Sequence, residues 1–138
     1  MKANDLMVGD YISVKPSRMV IKVEAVHHKK VAYHAVINKL TWVIESLLES
    51  IPITPEILEK NGFVANNHVY LYPYYEYVDK EYKFKISFGF PQGNKTSYKE
   101  PWVYIDSKYV YIEHLPCIYV HQLQHILKLC KIEKEMIF

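Results

Sequence analysis

Tyr82-Lys83-Phe84-Lys85-Ile86-Ser87-Phe88-Gly89-Phe90 alternates aromatic or aliphatic residues with charged or small ones without a break. A period of two sends Tyr82, Phe84, Ile86, Phe88 and Phe90 to one side of a pleated chain. Lys83, Lys85, Ser87 and Gly89 go to the other, so the stretch reads as a strand with one face in a core and one in water. Residues 69–75 read as its hairpin partner across Val78-Asp79-Lys80-Glu81, and residues 102–106 and 109–113 as a second hairpin across Asp106-Ser107-Lys108. Past Pro116, Tyr119, Leu123, Ile126, Leu127 and Cys130 recur at helical spacing. Residues 119–131 are therefore expected to form a helix whose apolar stripe packs on the sheet, followed by a strand or ordered arm to Phe138.

Working back toward the N-terminus, Thr54-Pro55-Glu56 marks a helix start. Thr accepts from free backbone N–H groups, Pro suits the first helical position, and Glu complements the positive end of the dipole. Asn61-Gly62 ends this helix about two turns later. Before it, Gly9-Asp10 punctuates the chain, Tyr11, Ile12 and Val14 begin a strand, and Pro16-Ser17 turns it. Residues 20–26 alternate, His27-His28-Lys29-Lys30 is a polar turn, and residues 31–37 form the next strand. Residues 42–48 suit either a strand or a short helix, and Ile51-Pro52-Ile53 is extended. Short antiparallel strands with tight turns predict a small SH3-like β-barrel over residues 1–53. The sheet with its covering helix occupies residues 54–138, giving an α+β chain folded as one unit.

Half of the 138 residues are hydrophobic and 23% are charged, which excludes a disordered chain. The net charge of +2 implies no nucleic-acid partner by itself. The basic excess lies in the first forty residues, where Lys2, Lys15, Arg18, Lys22, Lys29, Lys30 and Lys39 face Asp5, Asp10 and Glu24. Two cysteines, Cys117 and Cys130, make no disulfide framework. Asp5 and Asp10 interrupt any apolar run at the start, so it reads as no signal peptide, and no run reaches the length of a membrane span. These features predict a cytoplasmic protein with reduced thiols and no membrane partner.

The opening Val8-Gly9-Asp10-Tyr11, the stretch from Ile51 to Phe63, the aromatic strands, and Tyr119-Val120-His121-Gln122-Leu123-Gln124-His125 together resemble a group of small proteins encoded in Bacteroidetes genomes and in their phages or mobile elements. The resemblance runs from Leu6 to about Lys134. Gln122 and His125 depart from the group's Val-His-Glu-Leu-Gln-Asn pattern. The resemblance implies an architecture and a phage or mobile-element origin, and no activity.

Three stretches carry candidate chemistry. His114, Cys117, His121 and His125 collect zinc-type ligands within twelve positions, with His121 and His125 four apart on one helix face. The spacing matches neither a protease nor a zinc-finger motif, so these are weak metal candidates and no cofactor is expected. His27, His28, Lys29 and Lys30, near Tyr33 and Trp42, form a basic tip of the kind that meets phosphate. Tyr70, Tyr72 and Tyr74 share one strand face while Tyr75 and Tyr77 share the other, so one set belongs to a core and the other to a partner surface. Eleven of the thirteen tyrosines lie between Tyr70 and Tyr119. No phosphate-cradling glycine loop or nucleophile elbow is present, which argues against an enzyme. The expectation is a non-enzymatic protein-interaction module that binds a protein partner or itself, with nucleic-acid binding through the basic N-terminal third as the alternative.

Overall fold

The computed structural model describes residues 1–66, 74–79, 84–91, 100–107, 111–132 and 134–138. They form two compact units: residues 1–52 with 119–124, and residues 53–118 with 125–138. No helix among the described residues is long and apolar enough to cross a membrane.

The first unit begins with a 3-10 turn, Ala3–Asp5, followed by strands Tyr11–Val14 (β1), Met19–Lys22 (β2), Ala25–His27 (β3), Lys30–Val36 (β4) and Lys39–Ile44 (β5). A second 3-10 turn, Glu45–Leu47, leads to the two-residue strand Leu48–Glu49 (β6). The strands make two antiparallel sheets, ordered β2-β1-β6 and β3-β4-β5. The alternating stretch 20–26 is not one strand. It breaks at Val23-Glu24, where Val23 N–H donates to Asp10 O at 2.8 Å and Glu24 N–H donates to Ala32 O at 2.8 Å. One peptide thus serves the first sheet and the next serves the second, which is how a chain turns a corner between two sheets. The ambiguous stretch 42–48 resolves into the end of β5, the 3-10 turn and the start of β6.

Both sheets bury one face in a shared core of Ala3, Leu6, Ile12, Val14, Ile21, Val23, Val31, Val43 and Leu48. Among the described residues no strand ladder joins one three-stranded sheet to the other, and neither closes into the barrel expected from the sequence.

Strand β6 covers β1 only at Ser13 and Val14, so the earlier backbone of that edge needs another partner. The Gln124 carboxamide supplies it. Tyr11 N–H donates to Gln124 Oε1 at 2.9 Å, and Gln124 Nε2 donates to Gly9 O at 2.9 Å. Gln124 is 7% exposed. Its side chain takes the place of a strand partner for backbone groups that a fold must pair.

The second unit contains helix Pro55–Lys60 (α1), strands Val64–Asn66 (β7), Tyr74–Asp79 (β8), Phe84–Gly89 (β9), Trp102–Asp106 (β10) and Tyr111–Pro116 (β11). Helix α1 starts and stops as its residues dictate. Thr54 Oγ1 accepts from Ile57 N–H at 3.3 Å. At the other end Gly62 adopts φ +87°, Gly62 N–H donates to Glu59 O, and Phe63 N–H donates to Leu58 O. That pair of bonds is a Schellman closure, which needs a residue at ease in the left-handed region. Asn61, 1% exposed, holds the C-terminal arm: its Nδ2 donates to Ile57 O and Ile137 O, and its Oδ1 accepts from Ile137 N–H. The last residues are an ordered arm and not a strand.

The five strands form one antiparallel sheet, ordered β11-β10-β9-β8-β7. Ile86, Phe88, Val103 and Ile105 are fully buried on its inner face. The first hairpin sits later than residues 69–75 suggest. Val78 and Asp79, expected in the turn, are in β8 opposite Lys85 and Phe84, because the alternation that begins at Tyr74 continues through them. The second hairpin's outer strand likewise runs to Pro116, with residues 108–110 outside the described set.

The C-terminal helix spans Val120–Leu129 (α2), and Leu123, Ile126, Leu127 and Cys130 are buried as their spacing requires, while Tyr119, expected to begin the stripe, is half-buried before the helix in a bridge to Pro52, and Val120 takes the buried place. It does not serve the C-terminal sheet alone. Its first half belongs to the first unit and its second half to the second. At its end the Cys130 thiol hydrogen-bonds Ser107, beside β10.

Replacing Gln124 by leucine keeps the apolar volume and strands the Tyr11 N–H and Gly9 C=O. The expected cost is about 2 kcal/mol in urea denaturation. A change under about 0.5 kcal/mol would mean that solvent serves these groups equally well.

Candidate functional site

Two surfaces combine exposed aromatic or apolar side chains with polar groups. The first is the outer face of the β3-β4-β5 sheet. Cross-strand pairing places His27 opposite Lys30, Lys30 opposite Ile44, Ala32 opposite Trp42, and His34 opposite Leu40, so all share one face. Leu40, Trp42 and Ile44 are 45%, 44% and 57% exposed. The Lys30 ammonium sits 4.8 Å from the Trp42 ring centre, and the His27 ring meets Trp42 edge-on at 6.4 Å. His28, at φ +48°, turns the chain at the tip beside exposed Lys29. Residues 25–44 contain three lysines, three histidines and no acid.

Strand β5 pairs on one side only among the described residues. Glu45 N–H donates to Lys29 O at 2.7 Å. By the alternation of an antiparallel ladder, the amides of Val43 and Thr41 then point at β4, and those of Trp42 and Ile44 at the open edge.

Tyr33 does not join this surface. It lies opposite Thr41 and packs against the buried core. Strand alternation carries Lys30, Ala32 and His34 outward, so Val31 and Tyr33 go inward.

The second surface is the outer face of the five-stranded sheet. Its cross-strand rows are Tyr74–Gly89–Trp102, Glu76–Ser87–Tyr104 and Val78–Lys85–Asp106. The middle strand β9 contributes the small residues Ser87 and Gly89 between taller neighbours, which leaves a cavity of about 520 Å³ along it. The Trp102 indole lies across Gly89: a Cβ at that position would stand 2.2 Å from Trp102 Cζ2. The register of β10 and β11 shifts between Val103 and Ile105. Facing that shift, His114 takes φ +48° and its ring comes within 6.4 Å of Trp102.

On the β7-β8 side of the same face, Asn66 Nδ2 donates to Tyr74 Oη and to Glu76 Oε2, both at 3.1 Å, and Lys85 Nζ lies 2.6 Å from Glu76 Oε1. Burial pushes the Glu76 carboxyl up, but hydrogen bonds from Lys85 and Asn66 outweigh it and hold the group below the usual carboxylate range. Tyr74 is on this outer face, while Tyr75 and Tyr77 point to the core side, where Tyr77 meets Phe63 at 5.5 Å. Tyr70 and Tyr72 lie outside the described residues. Sequence reasoning singled out Tyr74 on this face and missed Ser87, Gly89 and Trp102. The signal was present in two small residues on the polar side of the strongest strand.

The histidine and cysteine candidates are dispersed in role. His114 belongs to the cavity just described. Cys117 is fully buried after β11, His121 is buried and stacked on Tyr119 with rings 7° from parallel, and His125 is half-buried. Among the described residues, no three His, Cys, Asp or Glu side chains converge as metal ligands. Both cysteines are free thiols. Comparison of the chain with protein-family models, with curated proteins and with solved structures finds no match.

Burial pushes the Cys117 thiol up to about 12, so the folded protein favours its neutral form. The stabilisation is complete below the ordinary thiol value of about 8.5 and is lost as pH rises from there toward the folded value. Stability is expected to fall on the alkaline side, and Cys117→Ala should flatten that fall relative to the parent. An equal slope in both proteins would show that the thiol ionises as easily folded as unfolded.

Proposed function

We propose that the chain is a non-enzymatic protein-interaction module, and that its working surface is the outer face and open edge of the β3-β4-β5 sheet. The observation that carries this is the row Leu40, Trp42 and Ile44, each 44–57% exposed, on an edge strand of a sheet whose twenty residues include no acid. An open strand edge offers N–H and C=O groups to an added strand, and the alternate side chains give that strand its specificity. Edge strands with an apolar face are templates for pairing that proteins ordinarily blunt. Here positive charge and a register shift between His34 and Val36 blunt the edge among the described residues. The partner that fits is an extended segment with apolar residues on one side and carboxylates on the other. Surface ion pairs contribute at most about 1 kcal/mol each, so Lys29, Lys30 and Lys39 select and steer the partner while the apolar row supplies affinity. A second copy of this chain would bring lysine against lysine at the same edge, which disfavours self-association there.

A strand that turns between two sheets at Val23-Glu24 and a 3-10 turn before a last short strand beside β1 support an SH3-like arrangement for the first unit. The resemblance of the 51–63 and 119–125 stretches supports a phage or mobile-element setting. Catalysis has no support in the thiols, because burial keeps Cys117 protonated.

Nucleic-acid binding is the second reading, favoured by the contact of Lys30 with Trp42 beside His27, His28 and Lys29. Single strands stack on such platforms. Leu40 and Ile44 flanking the ring offer nothing to a phosphate backbone, which places this reading second.

In a Trp102→Phe background Trp42 is the sole tryptophan. Its emission is expected to shift and saturate on addition of an acetylated peptide alternating glutamate and valine. Leu40→Ser combined with Ile44→Ser should weaken that binding roughly tenfold or more. Saturation by oligothymidylate with steep salt dependence, and none by the peptide, would replace this reading with the nucleic-acid one.

A further inference from the structure

We propose that the cavity along β9 on the second unit is a binding site for one pyranose unit of a neutral saccharide. Its shape follows from the residue grid. Ser87 and Gly89, the latter under the Trp102 indole, line the central strand, Tyr74 stands on one side, and Trp102 and Tyr104 on the other. A volume of about 520 Å³ is within the range of small-ligand pockets.

The chemistry of the lining selects the ligand. Every described lining residue is aromatic, polar or glycine, and none is aliphatic. A lipid or other fully apolar ligand would leave these polar groups without partners, at a cost. The half-buried rings of Tyr74 and Tyr104 receive the C–H faces of a sugar ring, the Trp102 indole being 7% exposed and lying over Gly89, while the hydroxyls of Tyr74, Tyr104 and Ser87 meet its hydroxyls. The charges at the site cancel in the Lys85–Glu76 pair, so no net charge is asked of the ligand.

Two features that cost stability converge on this place. His114 adopts a left-handed backbone conformation, uncommon outside glycine, opposite the register shift that turns it toward Trp102. Gly89 weakens the strand it occupies and leaves room for the indole. Strain of this kind gathers where a site is being shaped.

The test uses the full chain carrying Trp42→Phe, which leaves Trp102 as the sole tryptophan. D-Glucose, D-galactose, D-mannose and N-acetyl-D-glucosamine are titrated in turn, with decaproline as the competing occupant. At least one sugar is expected to change the Trp102 emission and saturate. Tyr104→Phe, which removes one hydroxyl and keeps the ring, should weaken that sugar roughly 3- to 10-fold. Ser87→Val, a substitution suited to a strand, should fill the floor and abolish binding. The proposal is overturned if no sugar saturates, if decaproline saturates in their place, or if both variants bind as the parent does. Circular dichroism of each variant separates loss of binding from loss of fold.

Discussion

The two hydrogen bonds of the Gln124 carboxamide, to Tyr11 N–H and Gly9 O, join positions 113 and 115 residues apart in the chain. They answer a problem created at the strand edge: β6 is two residues long and pairs with β1 only at Ser13 and Val14, while β2 covers the other side of β1 from Tyr11 onward. A side-chain amide matches a peptide group in both donor and acceptor, which is why a glutamine can stand in for a strand. The core of Ile12, Val14, Ile21 and Val43 depends on β1 lying flat between β2 and β6. Because the second partner comes from the far end of the sequence, the first unit is complete only when residues 119–124 have joined it. Asn61 does comparable work in the second unit, holding Ile137 by paired bonds.

Much of this was legible in the sequence because the signals were local. The cap at Thr54, the closure at Gly62, the alternation from Phe84 to Gly89 and the stripe from Leu123 to Cys130 each depend on residues within a few positions of one another. The corner at Val23-Glu24 was not legible. Hydrophobic alternation passes through it without a fault, and the change of sheet is recorded only in which backbone each peptide bonds. Strand limits in the aromatic region were misplaced for a related reason. Tyrosine satisfies both a strand's interior and its solvent face, so its abundance gives no boundary. The role of Gln124 was invisible from spacing, since a glutamine on a helix is ordinarily solvated.

The candidate surfaces divide the same way. The basic tip at His27 to Lys30 and Trp42 was evident from composition, but Tyr33 was grouped with them when alternation of β4 sends it to the core. The aliphatic neighbours Leu40 and Ile44 become informative only when the ladder shows β5 at an edge. Among the tyrosines, the division of Tyr74 from Tyr75 and Tyr77 follows from strand periodicity alone. The cavity beside Tyr74 needed the register, because it is made by small residues in one strand and tall ones in two others.

Amide hydrogen exchange at Trp42 and Ile44 reads out the strand addition proposed at β5. In the free protein these two edge amides should exchange faster than those of Thr41 and Val43, which face β4. On saturation with the acidic alternating peptide, Trp42 and Ile44 should become protected while Thr41 and Val43 change little. Saturation that leaves the Trp42 and Ile44 amides as fast as before would contradict the account, since a bound strand must take those hydrogen bonds.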